Sequence, residues 1–199
     1  MNYKEHTIIS YDKHAELFVD KFKGLLDIVR RDEFPKFIDL IPGKKILDLG
    51  SGGGDHAQYF STKGLDVTCI DLSSKMIDLC KAKGLKSFVM DIEDLKFKNE
   101  SFDGIWAVTS LLHVEKHNLP RVIVKLHDIL RNNGILYVCV KEGTGEKIIP
   151  DKKDKTGRFF TFFSKDELLE LFEDRFELLE FGKTPVGKTI FLEAFFKKS

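Results

Sequence analysis

The chain has 199 residues, in which 32 Lys+Arg balance 32 Asp+Glu, and 42% of residues are hydrophobic and 12% aromatic. Such a composition excludes disorder, because the apolar material, 18 Phe among it, repays the entropy of ordering a globular domain. It excludes a membrane-spanning helix, since no stretch is apolar over about twenty residues, and zero formal charge disfavours large, sequence-independent binding to nucleic acid.

The start, MNYKEHTIIS, has no basic region ahead of an apolar run, so no secretory signal is read and the expected location is the cytoplasm. Helical spacing of Leu17, Phe18, Phe22, Leu25, Leu26 and Val29 predicts a helix over 13–30, and a second runs over 34–40 before Pro42-Gly43. Short Val/Ile/Leu/Phe-rich runs bounded by Gly, Asp or Asn predict strands at 45–49, 66–71, 86–90, 102–107 and 135–141. Helices fill the gaps over 56–63, over 74–83 behind Ser73 or Ser74 as cap, and over 119–131 with Asn132-Asn133-Gly134 as its stop.

A polar stretch from 143 to 158 follows, and Ser164 with Glu167 forms a capping box opening a helix to Asp174. Runs at 176–183 and 188–196 are separated only by Thr184-Pro185-Val186-Gly187. That is too short for a parallel crossover, so they must form an antiparallel hairpin. The whole reads as one α/β domain: an N-terminal helical cover (1–42), a ligand-binding core (43–142), a lid over the active site (143–163), and a closing helix and hairpin (164–199). Cys69, Cys80 and Cys139 are odd in number, apolar in context and form no C-x-x-C, which predicts reduced core thiols.

The chemistry begins after the first strand, at Asp48-Leu-Gly50-Ser51-Gly52-Gly-Gly54-Asp55-His56. Glycines permit positive φ and close ligand approach, and the following helix offers free N–H groups to an anionic group. The dinucleotide fingerprint G-x-G-x-x-G lacks its third glycine, whether counted from Gly50 (Asp55) or from Gly52 (Ala57), which weakens a nicotinamide reading. The second strand ends at Asp71, about twenty residues on, where a carboxylate grasps a ribose diol; its alternative role is at the start of the next helix. The third strand ends in Asp91-Ile92, which with Met76 suits an adenine ring.

These blocks resemble the class I S-adenosylmethionine-dependent methyltransferases, in particular the broad family acting on low-molecular-weight substrates. The resemblance covers nearly the whole chain. It rests on ILDLGSGGG at 46–54, CIDLSSKMI at 69–77, MDIEDL at 90–95, SFDGIWAVTSLLHV at 101–114 and LHDILRNNGILYVCVKEG at 126–143. It implies a Rossmann-like, doubly wound, seven-stranded, mostly parallel sheet with one antiparallel strand, helices on both faces, and S-adenosylmethionine as cofactor with S-adenosylhomocysteine as product.

The same resemblance implies that Asp48, Gly50, Ser51 and Gly52 border the methionine portion and that Asp71 takes the ribose hydroxyls. Leu72 and Met76 would flank the adenine, Asp91 and Ile92 meet its polar edge, and Ala107 through Leu112 to His113 line the sulfonium side. Tyr11 would close over the cofactor. The chain departs from many relatives at Val108 and at Leu112-His113.

Methyl transfer from a sulfonium is an in-line displacement whose leaving group is already activated, so alignment and exclusion of water matter most. Where an acceptor must lose a proton, His113, His14 and Glu142 are the candidate bases. Arg158 followed by Phe159-Phe160-Thr161-Phe162-Phe163 joins His113 and His14 as a candidate at the reacting end, because an Arg fork beside aromatic faces suits a carboxylate or planar ligand. His113 and His117 at i, i+4 have no third ligand and no H-E-x-x-H pattern, so no metal site is expected. His56 is expected to be exposed. The expected partner is a small-molecule methyl acceptor of a monomer or weak homodimer. RNA or protein methylation, a cofactor-binding module without catalysis and a nicotinamide-dependent oxidoreductase are the alternatives.

Overall fold

The computed structural model describes residues 2–20, 32–151 and 156–199. The predicted helix positions Phe22, Leu25, Leu26 and Val29, and Lys152, Lys153, Asp154 and Lys155 of the polar stretch, lie outside the described residues. The helices are α1 (Tyr3–Lys13), α2 (Glu33–Leu40), α3 (Asp55–Thr62), α4 (Ser74–Ala82), α5 (Leu119–Ile129) and α6 (Lys165–Glu170). The strands are β1 (Lys45–Leu49), β2 (Asp66–Asp71), β3 (Lys86–Val89), β4 (Phe102–Val108), β5 (Leu130–Lys141), β6 (Glu146–Pro150), β7 (Gly157–Thr161), β8 (Phe176–Val186) and β9 (Thr189–Lys198).

Seven strands form one sheet in the order β3-β2-β1-β4-β5-β9-β8. The first five pair in parallel, and β9 runs antiparallel to both β5 and β8. Strand order reverses between β1 and β4, so the carboxyl ends of these strands open a crevice, the place where sheets of this kind bind ligands. One face of the sheet buries Leu47, Leu49, Ile105, Leu136 and Val138 with the apolar stripe of α5. The other centres on Trp106, stacked on Tyr137 at 4.2 Å between centroids and on Phe34 of α2 at 5.1 Å. Alternation along β4 and β5, period two, sorts these residues onto the two faces.

Several boundaries differ from the sequence reading. Helix α1 was not expected over 3–13. It starts at a capping box in which Asn2 accepts from Glu5 N while the Glu5 side chain accepts from Asn2 N, and its weakly patterned YKEHTIISYDK gives little periodicity to detect. The expected helix stop Asn132-Asn133-Gly134 lies inside β5 instead. Helix α5 ends at Ile129, and Asn133, at φ 62°, belongs to a bulge where β5 passes β4. The polar stretch folds into the antiparallel β6–β7 hairpin. The terminal turn is Gly187-Lys188, which leaves Pro185 within β8, tolerated because β8 is an edge strand. Helix α6 stops at Glu170, four residues short of Asp174.

The three cysteines are free and buried, as expected. Among the described residues, no helix is long and apolar enough to cross a membrane.

Candidate active site

The crevice contains a cavity of about 230 Å³ with a floor and a roof. The floor is the glycine loop and the ends of β2 to β4. Gly50, Gly52 and Gly54 take φ of 70°, 53° and 80°, and a side chain at Gly50 would meet the Ser110 Cβ at 2.5 Å. Ser51 N donates to Ile70 O at 2.8 Å, while Lys83 Nζ and the Cys80 thiol from the α4 region bond Gly53 O and Gly52 O. These contacts fix the loop's peptide planes.

Asp71 joins the loop to the next helix. One carboxylate oxygen accepts from Gly52 N at 3.0 Å and the other from Ser73 N at 2.8 Å, so the side chain seats the start of the next helix, one of the two roles considered for it, and it also lines the cavity. Burial raises its pKa to about 6 against the pull of those N–H donors. Asp48 is more deeply buried. Desolvation, helped by Cys80 and Asp71, lifts its carboxyl well above the ordinary range. Asp48 Oδ2 and Ser110 Oγ are both buried without a hydrogen-bond partner among the described residues, and both residues line the cavity. Buried polar atoms left unpaired cost free energy, and an ammonium-bearing ligand in this cradle would satisfy them.

The roof is α1 with the segments around β7 and the β8–β9 turn. Lys4 Nζ lies 2.6 Å from Asp91 Oδ2 and 2.8 Å from Glu93 Oε1, and the Tyr3 hydroxyl donates to Glu93. On its other side, α1 takes Phe159 N on Thr7 Oγ1 at 3.0 Å, and Ser10 Oγ donates to Asp151. His113 closes the inner end, in a short turn after β4. Its Nδ1 stands 2.5 Å from the Phe159 carbonyl, which can only accept, so Nδ1 carries the proton. Nε2 is therefore an acceptor, and it takes the Tyr11 hydroxyl at 2.9 Å. Burial lowers the His113 pKa to about 3, with the charges of Arg158 and Lys141 pushing the same way against the Phe159 bond. The ring is neutral at physiological pH.

Tyr11, Asp48, Gly50, Ser51, Gly52, Asp71, Leu72, Met76, Asp91, Ile92, Leu112, His113 and Arg158 all line the cavity. Four expectations need correction. Ala107 does not reach it: strand alternation turns its side chain into the core beneath the sheet, and Val108 and Thr109 line the wall instead. His14 does not line it either; it is the C-cap of α1, edge-on to Phe18 at 5.9 Å. His56 is buried, not exposed, because its Nδ1 accepts from Trp106 Nε1 at 3.0 Å. Glu142 pairs with Lys183 outside the cavity. Among the described residues no group of His, Cys, Asp and Glu has metal-site geometry.

Sequence reasoning missed Lys4, Thr7 and Lys141 in the lining, while Ser110 and Phe160 fall in the two segments it had placed there. The Asn2…Glu5 capping box was the one local signal for α1. The others come together only through the tertiary fold.

A methyltransferase-domain family model matches residues 47–138, the span from β1 to β5 that carries the glycine loop and Asp71. The matched core is a methyltransferase domain of the S-adenosylmethionine-dependent class. S-adenosylmethionine is its cofactor. An uncharacterized protein of Methanocaldococcus jannaschii is 28% identical over 188 residues, 92% of this methyltransferase and 86% of that protein. A glycine/sarcosine/dimethylglycine N-methyltransferase of Actinopolyspora halophila is 32% identical over 106 residues, 49% of this chain but 18% of that larger protein. The 1,6-didemethyltoxoflavin-N1-methyltransferase of Burkholderia thailandensis, solved with its substrate and S-adenosylhomocysteine, shares the fold at a TM-score of 0.67 and 22% identity, covering 93% of this chain and 87% of that one.

Proposed function

We propose that this methyltransferase moves a methyl group to an oxygen or nitrogen atom of a small-molecule acceptor by in-line displacement. The observation that carries this reading is the roof. Helix α1, β7 and the ends of β8 and β9 line the cavity over the strand ends, and a covered space of about 230 Å³ suits a small molecule better than a duplex or a folded protein surface. The relatives named above that act on glycine, sarcosine or a toxoflavin precursor are small-molecule enzymes by name, and the zero formal charge offers no attraction to RNA.

In this reading Asp48 and the Gly50–Gly52 backbone hold the methionine portion, Asp71 the ribose diol, Leu72 and Met76 the adenine faces, and Asp91 with Ile92 its polar edge. The cofactor supplies a methyl group on a sulfonium whose departure needs no acid. This chain's residues then orient and enclose. Leu112 and Tyr11 exclude water, and His113, neutral and with Nε2 engaged by Tyr11, holds the roof to the floor; it takes up an acceptor proton only when that hydroxyl swings away. The 143–163 segment serves as the substrate lid. The enzyme works in the cytoplasm as a monomer or weak homodimer.

The test is incubation with methyl-tritiated S-adenosylmethionine and cell extract separated by size. Label in the low-molecular-weight fraction is expected. Label in RNA or protein overturns the small-molecule reading, and cofactor binding by calorimetry without label in any fraction favours a binding module without catalysis.

A further inference from the structure

The charged side chains around the cavity are sorted by position. Its carboxylates, from Asp48 to Glu93, all stand in or just after β1, β2 and β3, where the cofactor reading needs them, and the one lining cation described at that end, Lys4, is engaged by two of them, Asp91 and Glu93. At the opposite end, among the described residues, the charged lining groups are Lys141 at the end of β5 and Arg158 in β7. The two cations flank one ring: Lys141 Nζ lies 4.0 Å and Arg158 Cζ 5.4 Å from the Phe160 centroid. Arg158 also faces Phe18 at 4.4 Å and Tyr11 at 5.5 Å.

The guanidinium is incompletely matched. Among the described residues its Nε is buried with no hydrogen-bond partner, and the carboxylate of Asp151 stands 3.5 Å from one terminal nitrogen while also taking Ser10 Oγ and Thr156 Oγ1. A buried, unsatisfied N–H on a charged fork is costly to leave unpaired, and planar oxyanions satisfy it with two parallel bonds. Neutral His113 adds no competing charge at this end.

From this segregation we infer that the acceptor is an anion: a small molecule carrying a carboxylate or phosphate, anchored on Arg158 and Lys141, with an apolar, ring-sized body against Phe160. The inference rests on the cofactor occupying the β1–β3 end, and it makes Arg158 a specificity-determining residue.

The experiment is calorimetric titration of the S-adenosylhomocysteine-loaded protein with benzoate, phenylacetate and phenyl phosphate, beside benzamide, phenylacetamide and phenethylamine. The acids are expected to bind at least tenfold more tightly than the neutral or cationic analogues, and the ratio of benzoate to phenyl phosphate distinguishes a carboxylate from a phosphate acceptor. Arg158→Gln should abolish the preference while S-adenosylhomocysteine affinity stays within threefold. Arg158→Lys, which keeps the charge and loses the fork, should weaken acid binding several-fold and stands in if the first variant does not fold. Lys141→Met gives a second, smaller loss. Equal binding of acids and amides, a preference for the amine, no binding by any acid, or acid binding indifferent to Arg158 overturns the proposal. Failure of S-adenosylhomocysteine itself to bind overturns instead the cofactor placement beneath it.

Discussion

The floor and the roof of the cavity are built by different physics. The floor is backbone: parallel strand ends, glycines at positive φ and N–H groups aimed at Asp71, all resting on side chains removed from water. The roof is held down largely by polar side chains, Lys4 on Asp91 and Glu93, Thr7 on Phe159 N, Tyr11 on His113. A backbone floor tolerates almost no change in the residues that shape it. A side-chain roof can be loosened one contact at a time.

The sharpest way to break the floor is Gly50→Val. A left-handed φ costs a non-glycine residue about 1–2 kcal/mol, more when it is β-branched, and the new Cβ overlaps Ser110. Calorimetry should detect no cofactor binding, and the melting temperature should fall by several degrees. Asp71→Ala comes next. It removes the acceptor of two backbone N–H bonds, each worth about 1.5–3 kcal/mol to a charged group; S-adenosylmethionine affinity should drop at least tenfold, and unchanged affinity would end the ribose assignment.

Acidity offers a third, intermediate probe. With Asp71 raised to about 6 in the fold, its ionised form, the one that accepts from a diol, is lost as pH falls through 6, so cofactor binding should weaken several-fold between pH 7.5 and 5. Stability sums two opposite slopes. Asp71, raised from 3.8, contributes stability that is full below 3.8 and lost as pH rises through 6. His113, lowered from 6.5 to about 3, binds its proton more readily when unfolded, so its contribution is full above 6.5 and lost as pH falls toward 3. His113→Gln should flatten the acid limb of a melting-temperature profile. The smallest effect belongs to the roof: Lys4→Met removes a partly exposed ion pair worth no more than about 1 kcal/mol, and should raise the cofactor dissociation constant by fivefold or less with no loss of melting temperature beyond a few degrees.

The same division explains what could be read from the sequence. The floor is written in contiguous stretches, ILDLGSGGG and the strand ending at Asp71, where turn chemistry and strand patterning act over a few residues. The positions expected at the site within them, Asp48, Gly50, Ser51, Gly52 and Asp71, all line the cavity. Ala107 failed by one residue, since period-two alternation puts its side chain into the core and Val108 on the wall. The roof is written in scattered pieces. Lys4 and Lys141 carry no local pattern that brings them to the cavity, His14 follows Tyr11 in sequence but sits at the end of its helix, and His56 looked like a surface residue until Trp106, fifty positions away, supplied the donor that buries it.

The bond between Thr7 and Phe159 N spans 152 residues. Loop closure over that distance is slow and comes after shorter-range pairing, so α1, made before any strand of the sheet, is among the last elements to dock. Until β7 exists, the helix that completes the pocket lacks the Phe159 side of its seat and can rest only on Asp91, Glu93 and His113. A nascent chain therefore carries the glycine loop under an incompletely seated cover until β7 is made, and cofactor present during translation can enter before that seat is finished.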